Sequence, residues 1–205
     1  LKPIWTSLFL KGNSCVNESW EELIAAYRGR AYHNLTHVAY MLNMLKVYKA
    51  YTGDELKTSE KDILLAIFTH DVVYDVYALE GENEQESSLF IDKISAWLSL
   101  DINPREAMTM IMSTAQTGDK LGVSLVRDLD LAILATSDIC VWYKYCKGIR
   151  EEYKNIPEQE YNIKRVEFLQ SMLKKQIFHI AFFFNKFEEK AKENLQKEID
   201  FLQKK

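Results

Sequence analysis

Glycine and proline are scarce in this chain, at 7 and 3 of 205 residues. An all-β fold needs many tight turns, and these residues supply most of them, so a helical architecture is expected. Cysteine is equally rare. Cys15, Cys140 and Cys146 are odd in number and contain no Cys-x-x-Cys pair. That argues against a disulfide framework and for a reduced, cytoplasmic setting. Long apolar runs are missing too. The strongest one near the carboxyl end, residues 177–184, has His179 inside it and is too short to cross a bilayer, so no membrane span is expected. Neither charge dominates: 26 Lys and Arg stand against 30 Asp and Glu, intermixed, for a net charge of -4. No basic groove for a nucleic acid polymer follows from that balance, although a local patch can still bind phosphate. The first residues, Leu1-Lys2-Pro3-Ile4-Trp5, do not have the layout of a secretory signal. They also lack an initiating Met, which leaves any upstream targeting segment out of view.

What is present is the ordinary balance of a globular chain, 47% hydrophobic and 27% charged. The length suits one sizeable core better than two independent ones. No repeat, low-complexity linker or shift in composition marks a boundary. The expectation is a single all-α domain over 1–205, a helical bundle with C-terminal helices from about 157 to 205 packed on it. Helix one is expected over 19–28, opened by a capping box of Ser19 and Glu22. Helix two runs over 34–50, with Val38, Met41, Leu42, Leu45 and Tyr48 on one face and Gly53 past its end. Helix three starts near Ser59 and dissolves at Asp75-Val76-Tyr77, and helix four covers 84–98. Asn103-Pro104 reads as an N-cap followed by proline at the first helical position, for a helix running to about Ala115. Gly118 and Gly122 mark a loop, a long apolar helix begins near Ser124, and Pro157 precedes two helices rich in Lys and Glu.

The chemistry concentrates in few residues. Of the 4 histidines, His33 and His37 are four apart and share a helix face. His70 and Asp71 follow the apolar run 63–68, and helical spacing turns both toward the core. Asp130, with Val126, Ile133 and Leu134 on its side, is read as inward in the same way. Burying an ionised carboxylate without a partner costs several kcal/mol, on the order of the penalty for an unpaired buried charge. One divalent metal ion among His70, Asp71 and Asp130, with His37 as fourth ligand, resolves all of these placements. Taken singly, each residue also has a plainer reading: a hydrogen-bonded core histidine, a helix cap, or a partner for Arg127 or Arg150.

In this combination and order the sequence resembles the HD-domain superfamily of metal-dependent phosphohydrolases. It is most similar to the branch of predicted phosphohydrolases with a Tyr-His-Asn-x-x-His start, here Tyr32-His33-Asn34-Leu35-Thr36-His37. Further matching stretches are Phe68-Thr69-His70-Asp71-Val72-Val73-Tyr74-Asp75, Asn83-Glu84 with Ser87, and Asp128-Leu129-Asp130-Leu131-Ala132-Ile133-Leu134. Ile149-Arg150-Glu151-Glu152-Tyr153 and Ala191-Lys192-Glu193-Asn194-Leu195 complete a likeness that spans most of the chain. One departure stands out: where related chains often carry Thr-x-x-His, this one reads Thr114-Ala115-Gln116-Thr117. With no spare histidine for a second ion, a single metal is expected.

The resemblance implies an HD-type bundle and hydrolysis of a small phosphate ester or anhydride, with a nucleotide as the expected substrate. Mixed nitrogen and oxygen ligands suit Mn²⁺, Fe²⁺, Co²⁺, Ni²⁺ or Zn²⁺, and admit Mg²⁺. Related enzymes use acidic residues soon after the His-Asp doublet as general base, which points to Asp75 and Glu84. Each also has a structural reading, Asp75 as a loop residue after a helix and Glu84 as a first-turn residue favoured by the helix dipole. His33, Arg30 and Arg150 are the candidates for contacts to substrate phosphate. The alternatives are a catalytically weak or inactive HD module that binds a nucleotide or a protein partner, and a plain helical interaction protein that docks a partner or second subunit through residues 163–202.

Overall fold

The computed structural model describes residues 1–10, 14–53, 56–97, 104–115 and 125–204. Among them are ten α-helices and no strand. The chain groups into two compact units, Leu1–Leu129 and Asp130–Lys205.

The first unit is organised by α4 (Glu60–Thr69), which packs against α1 (Lys2–Thr6), α3 (Leu35–Thr52), α5 (Glu82–Trp97) and α6 (Pro104–Met112). Most of α4 is buried, including Ile63 and every residue from Leu65 to Thr69, because its apolar side chains surround the helix instead of lining one stripe. Phe68 takes the edge of the Trp5 ring at 5.4 Å. The hydroxyl of Tyr27 donates to the Phe68 carbonyl at 3.0 Å. α1 lies at an end of the chain where five residues are too few to show a period, and Trp5 is its buried anchor.

α2 (Val16–Ala26) begins earlier than the Ser19-Glu22 pattern suggests. Ser19 does not cap it. Its hydroxyl is fully buried inside the helix, accepts from Trp5 Nε1 at 3.1 Å and donates to the Val16 carbonyl. α3 has the boundaries its signals imply. Asn34 accepts from the Thr36 amide at 2.8 Å as N-cap, and Gly53 closes the helix at φ +71°, a left-handed conformation that favours glycine. Pro104 opens α6 as expected; Asn103, Gly118, Gly122, Ser124 and Leu98 lie outside the described residues.

The long helix expected from Ser124 is broken. α7 (Leu125–Leu131) tightens into a 3₁₀ turn over Ala132–Ala135, and the chain leaves helical geometry at Thr136 with ψ 135°. α8 (Ile139–Glu152) starts afresh under Asp138, whose carboxylate accepts from the amides of Cys140 and Val141. The division between the units falls inside α7, between Leu129 and Asp130.

In the second unit the 3₁₀ turn is wholly buried and packs against α10 (Ala181–Leu202). Asn194 of α10 donates to the carbonyls of Leu134 and Thr136 at 2.8 and 2.9 Å, satisfying groups that the end of the turn leaves open. α9 (Glu158–Leu173) follows Pro157 and lies against α10. Arg165 reaches Glu198 with Nε at 2.8 Å and Nη2 at 3.3 Å, and Nη2 also donates to the Tyr145 hydroxyl. Glu188 accepts from the amides of Ile177 and Phe178, which ties the connection between α9 and α10 to the helix that follows it. No helix among the described residues is long and apolar enough to cross a membrane.

Candidate metal centre

His37 sits in the first turn of α3 and His70 at the C-cap of α4, both buried. Helix packing brings their Nε2 atoms to 3.3 Å. Asp71 follows directly, and its Oδ2 lies 2.9 Å from His70 Nε2 and 3.9 Å from His37 Nε2. The outer ring nitrogens are each engaged from behind. His70 Nδ1 is 3.0 Å from the carbonyl of Ile67, and His37 Nδ1 is 3.2 Å from the hydroxyl of Tyr32.

These contacts fix the proton inventory. The Ile67 carbonyl can only accept, so His70 carries its proton on Nδ1 and the neutral ring presents a bare lone pair on Nε2. That lone pair faces the lone-pair side of His37 and a carboxylate. Asp71 Oδ2, 2.9 Å from His70 Nε2, is a buried oxygen with no hydrogen-bond partner. Three electron-pair donors converging away from water repel unless a proton or a metal ion lies among them. Burial alone would push the Asp71 carboxyl up, but the influence of the His70, His33 and His37 side chains around it outweighs burial and holds the group below the usual carboxylate range. Asp71 is therefore an anion at neutral pH.

His37, His70 and Asp71 bring two ring nitrogens and a carboxylate oxygen together within the first unit, so this group could hold a metal ion; Asp130 opens the second unit. Asp130 follows Leu129 on the continuous helix α7. Two ligands of a tetrahedral ion with bonds of about 2.0–2.1 Å stand about 3.3–3.4 Å apart. The two imidazole nitrogens already have that spacing. The spacing of the two imidazole nitrogens thus suits two ligands of one divalent ion.

Asp130 itself is half-buried; the carboxylate with no exposure in this stretch is Asp128, two residues earlier.

The surroundings hold the doublet in place. Arg30 Nη2 donates to the Val72 carbonyl at 2.8 Å and Nη1 to the Asp71 carbonyl. On α5, Asn83 and Ser87 are one turn apart. Asn83 accepts from the Asp75 amide at 2.8 Å and donates to the Asp75 carbonyl at 3.0 Å, while Ser87 makes the same pair of contacts with Val73. The strand of backbone leaving the doublet is thus gripped at alternate residues. Tyr74, between them, stacks on His33 with ring centroids 3.8 Å apart.

Asp75 is exposed, and its Oδ1 accepts from the Tyr77 amide in a tight turn at 2.9 Å. Glu84 lies in the first turn of α5, half-buried. Arg30 and Arg150, expected to face substrate, are engaged with backbone instead. Arg150 donates to the carbonyls of Tyr153 and Ile156 at 2.6 and 3.1 Å and lies over the Tyr161 ring. Thr114 and Ala115 follow α6; Gln116 and Thr117, the rest of the stretch lacking a histidine, are outside the described residues. The roles of Tyr32, Tyr74, Asn83 and Ser87 escape a reading of the sequence, although all four stand inside the stretches that resemble HD proteins. The spacing of four between Asn83 and Ser87 was the signal available.

Comparison with protein-family models, with curated proteins and with solved structures finds no match to this chain.

Proposed function

We propose that this protein is a metal-dependent phosphohydrolase of the HD type, acting on a small phosphate ester or anhydride, with a nucleotide as the expected substrate class. The observation that carries the reading is the pair of imidazole Nε2 atoms at 3.3 Å with the Asp71 carboxylate beside them. Such a cluster makes sense around a cation and is costly without one.

In this reading His37, His70, Asp71 and Asp130 hold one divalent ion, of Mn, Fe, Co, Ni or Zn, with Mg admitted by the oxygen ligands. When bound, the ion supplies a water of lowered pKa and neutralises charge on phosphoryl oxygens. The chain does the rest. His33, held flat against Tyr74, donates a hydrogen bond to a phosphate oxygen. Asp75, on backbone pinned by Asn83, and Glu84, on the turn beside it, are the acidic groups proposed to take the proton from the attacking water. Arg30 fixes the peptide that carries Asp71.

The second reading is a module that keeps the metal and binds a nucleotide or a protein partner without hydrolysis. The absence of histidine from Thr114-Ala115-Gln116-Thr117 favours it. Elemental analysis of chelator-free protein beside Asp71→Ala, followed by phosphate release from nucleoside mono- and triphosphates, separates the cases. About one metal equivalent in the parent, much less in the variant, and phosphate release support the enzyme. Metal without release favours the module. A parent that takes up no Mn²⁺, Ni²⁺ or Zn²⁺ overturns both.

A further inference from the structure

We propose that Tyr32 is a positioning residue of the metal centre, whose hydroxyl holds His37 in either tautomer and so lets one side chain serve the metal-free and the metal-loaded protein. This rests on the reading of His37 as a ligand.

The two histidines of the cluster are backed by different chemistry. Behind His70 stands the carbonyl of Ile67, which only accepts and therefore keeps the proton on Nδ1 in every state. Behind His37 stands the phenol of Tyr32 at 3.2 Å from Nδ1, and a phenol both donates and accepts. Nε2 of His37 faces His70 Nε2 at 3.3 Å and Asp71 Oδ2 at 3.9 Å. In the metal-free protein a proton on His37 Nε2 relieves the repulsion among these lone pairs, and Nδ1 then accepts from Tyr32. When Nε2 becomes a ligand it must be bare, so the neutral ring carries its proton on Nδ1 and donates to the Tyr32 oxygen. The exchange requires only rotation of the Tyr32 O–H bond and transfer of one proton between the ring nitrogens through solvent. A carbonyl or carboxylate in that place would oppose the metal-free tautomer, and an apolar group would support neither.

The ring of Tyr32 is well placed to hold this geometry. It packs on His37 with centroids 5.0 Å apart and meets the edge of His33 at 4.9 Å, so loss of the hydroxyl alone leaves the packing intact. Tyr32→Phe is therefore the informative substitution.

The test is a titration with Zn²⁺ alone of the parent and Tyr32→Phe, with ¹⁵N chemical shifts of the His37 ring recorded in the parent before and after loading. The expected results are a loss of about 10- to 100-fold in Zn²⁺ affinity in the variant, with unchanged helical content. In the parent, the His37 proton is expected on Nε2 without Zn²⁺ and on Nδ1 with it. Equal affinity in the two proteins, or a His37 proton on Nδ1 in both states, overturns the inference while the metal centre stands. A parent that binds no Zn²⁺ overturns the inference together with the ligand assignment. Should the variant not fold, the shifts of the parent decide alone.

Discussion

Replacing Arg30 by Met tests whether the His-Asp doublet is held by its backbone. The substitution keeps an unbranched stem against the Tyr27 ring and removes the donors to the carbonyls of Asp71 and Val72. A hydrogen bond from a charged donor contributes about 1.5–3 kcal/mol net. Arg30 is half-buried, so water can reach the freed carbonyls and recover part of that loss. The combined cost should then be about 2–4 kcal/mol, above the roughly 1 kcal/mol of an average substitution. Arg30→Lys restores a charge but not the fork that meets both carbonyls, and should recover less than half. Equilibrium urea unfolding of metal-free protein, followed by tryptophan fluorescence and circular dichroism, measures the loss. Zn²⁺ titration of the same variants reports whether the released peptide also weakens the ligand set. A loss below about 0.5 kcal/mol, the ordinary scatter of surface substitutions, with parental Zn²⁺ affinity, would refute the reasoning.

Two further outcomes are expected. Ser19→Ala strands the buried Trp5 indole N–H and should cost about 1–3 kcal/mol, whereas Glu22→Ala, which removes the capping-box partner and an exposed ion pair with Lys93, should cost about 0.5 kcal/mol or less; equal costs would restore the capping reading. Burial pushes the phenols of Tyr40 and Tyr161 up to about 12, so the folded chain holds these protons more tightly than the unfolded one. Their contribution is whole below the ordinary value of 10.0 and is lost as pH rises toward 12. The fall is at most about 1.4 kcal/mol per pH unit for each phenol. Urea midpoints at rising pH should decline more gently in Tyr40→Phe than in the parent, and parallel curves would count against a buried Tyr40.

The sequence speaks clearly where the signal is local. Asn34 before an apolar period and Gly53 after it delimit α3 because capping and a left-handed closure are set by neighbours in the chain. His33, by contrast, lies before the N-cap Asn34 and outside α3, so helical spacing does not set the face it shares with His37. The break after α7 has no such marker: neither Gly nor Pro stands at Thr136-Ser137, and the helix ends because the 3₁₀ turn packs against α10 while Asn194 takes its carbonyls. The meeting of His37 with His70 depends on the packing of α3 against α4, whereas the groups behind them are local. The carbonyl of Ile67 leaves no trace in residue type, and Tyr32 reads as one aromatic among 11 tyrosines until the turn before α3 sets it behind His37.

Asn34 does two jobs with one amide. Its oxygen caps α3, and its nitrogen donates to the carbonyls of Arg30 and Ala31 at 3.1 and 3.2 Å. The group that starts the helix thus also folds the segment bearing Arg30, Tyr32 and His33 back on itself. Slow deamidation, the chemistry by which asparagine ages, would separate these jobs. An aspartate keeps the oxygen and suits the positive end of the helix better, but it has no N–H to give. An aged molecule would retain its helix while the loop beside the candidate metal site lost its fastening, a lesion that circular dichroism overlooks and a Zn²⁺ titration would record.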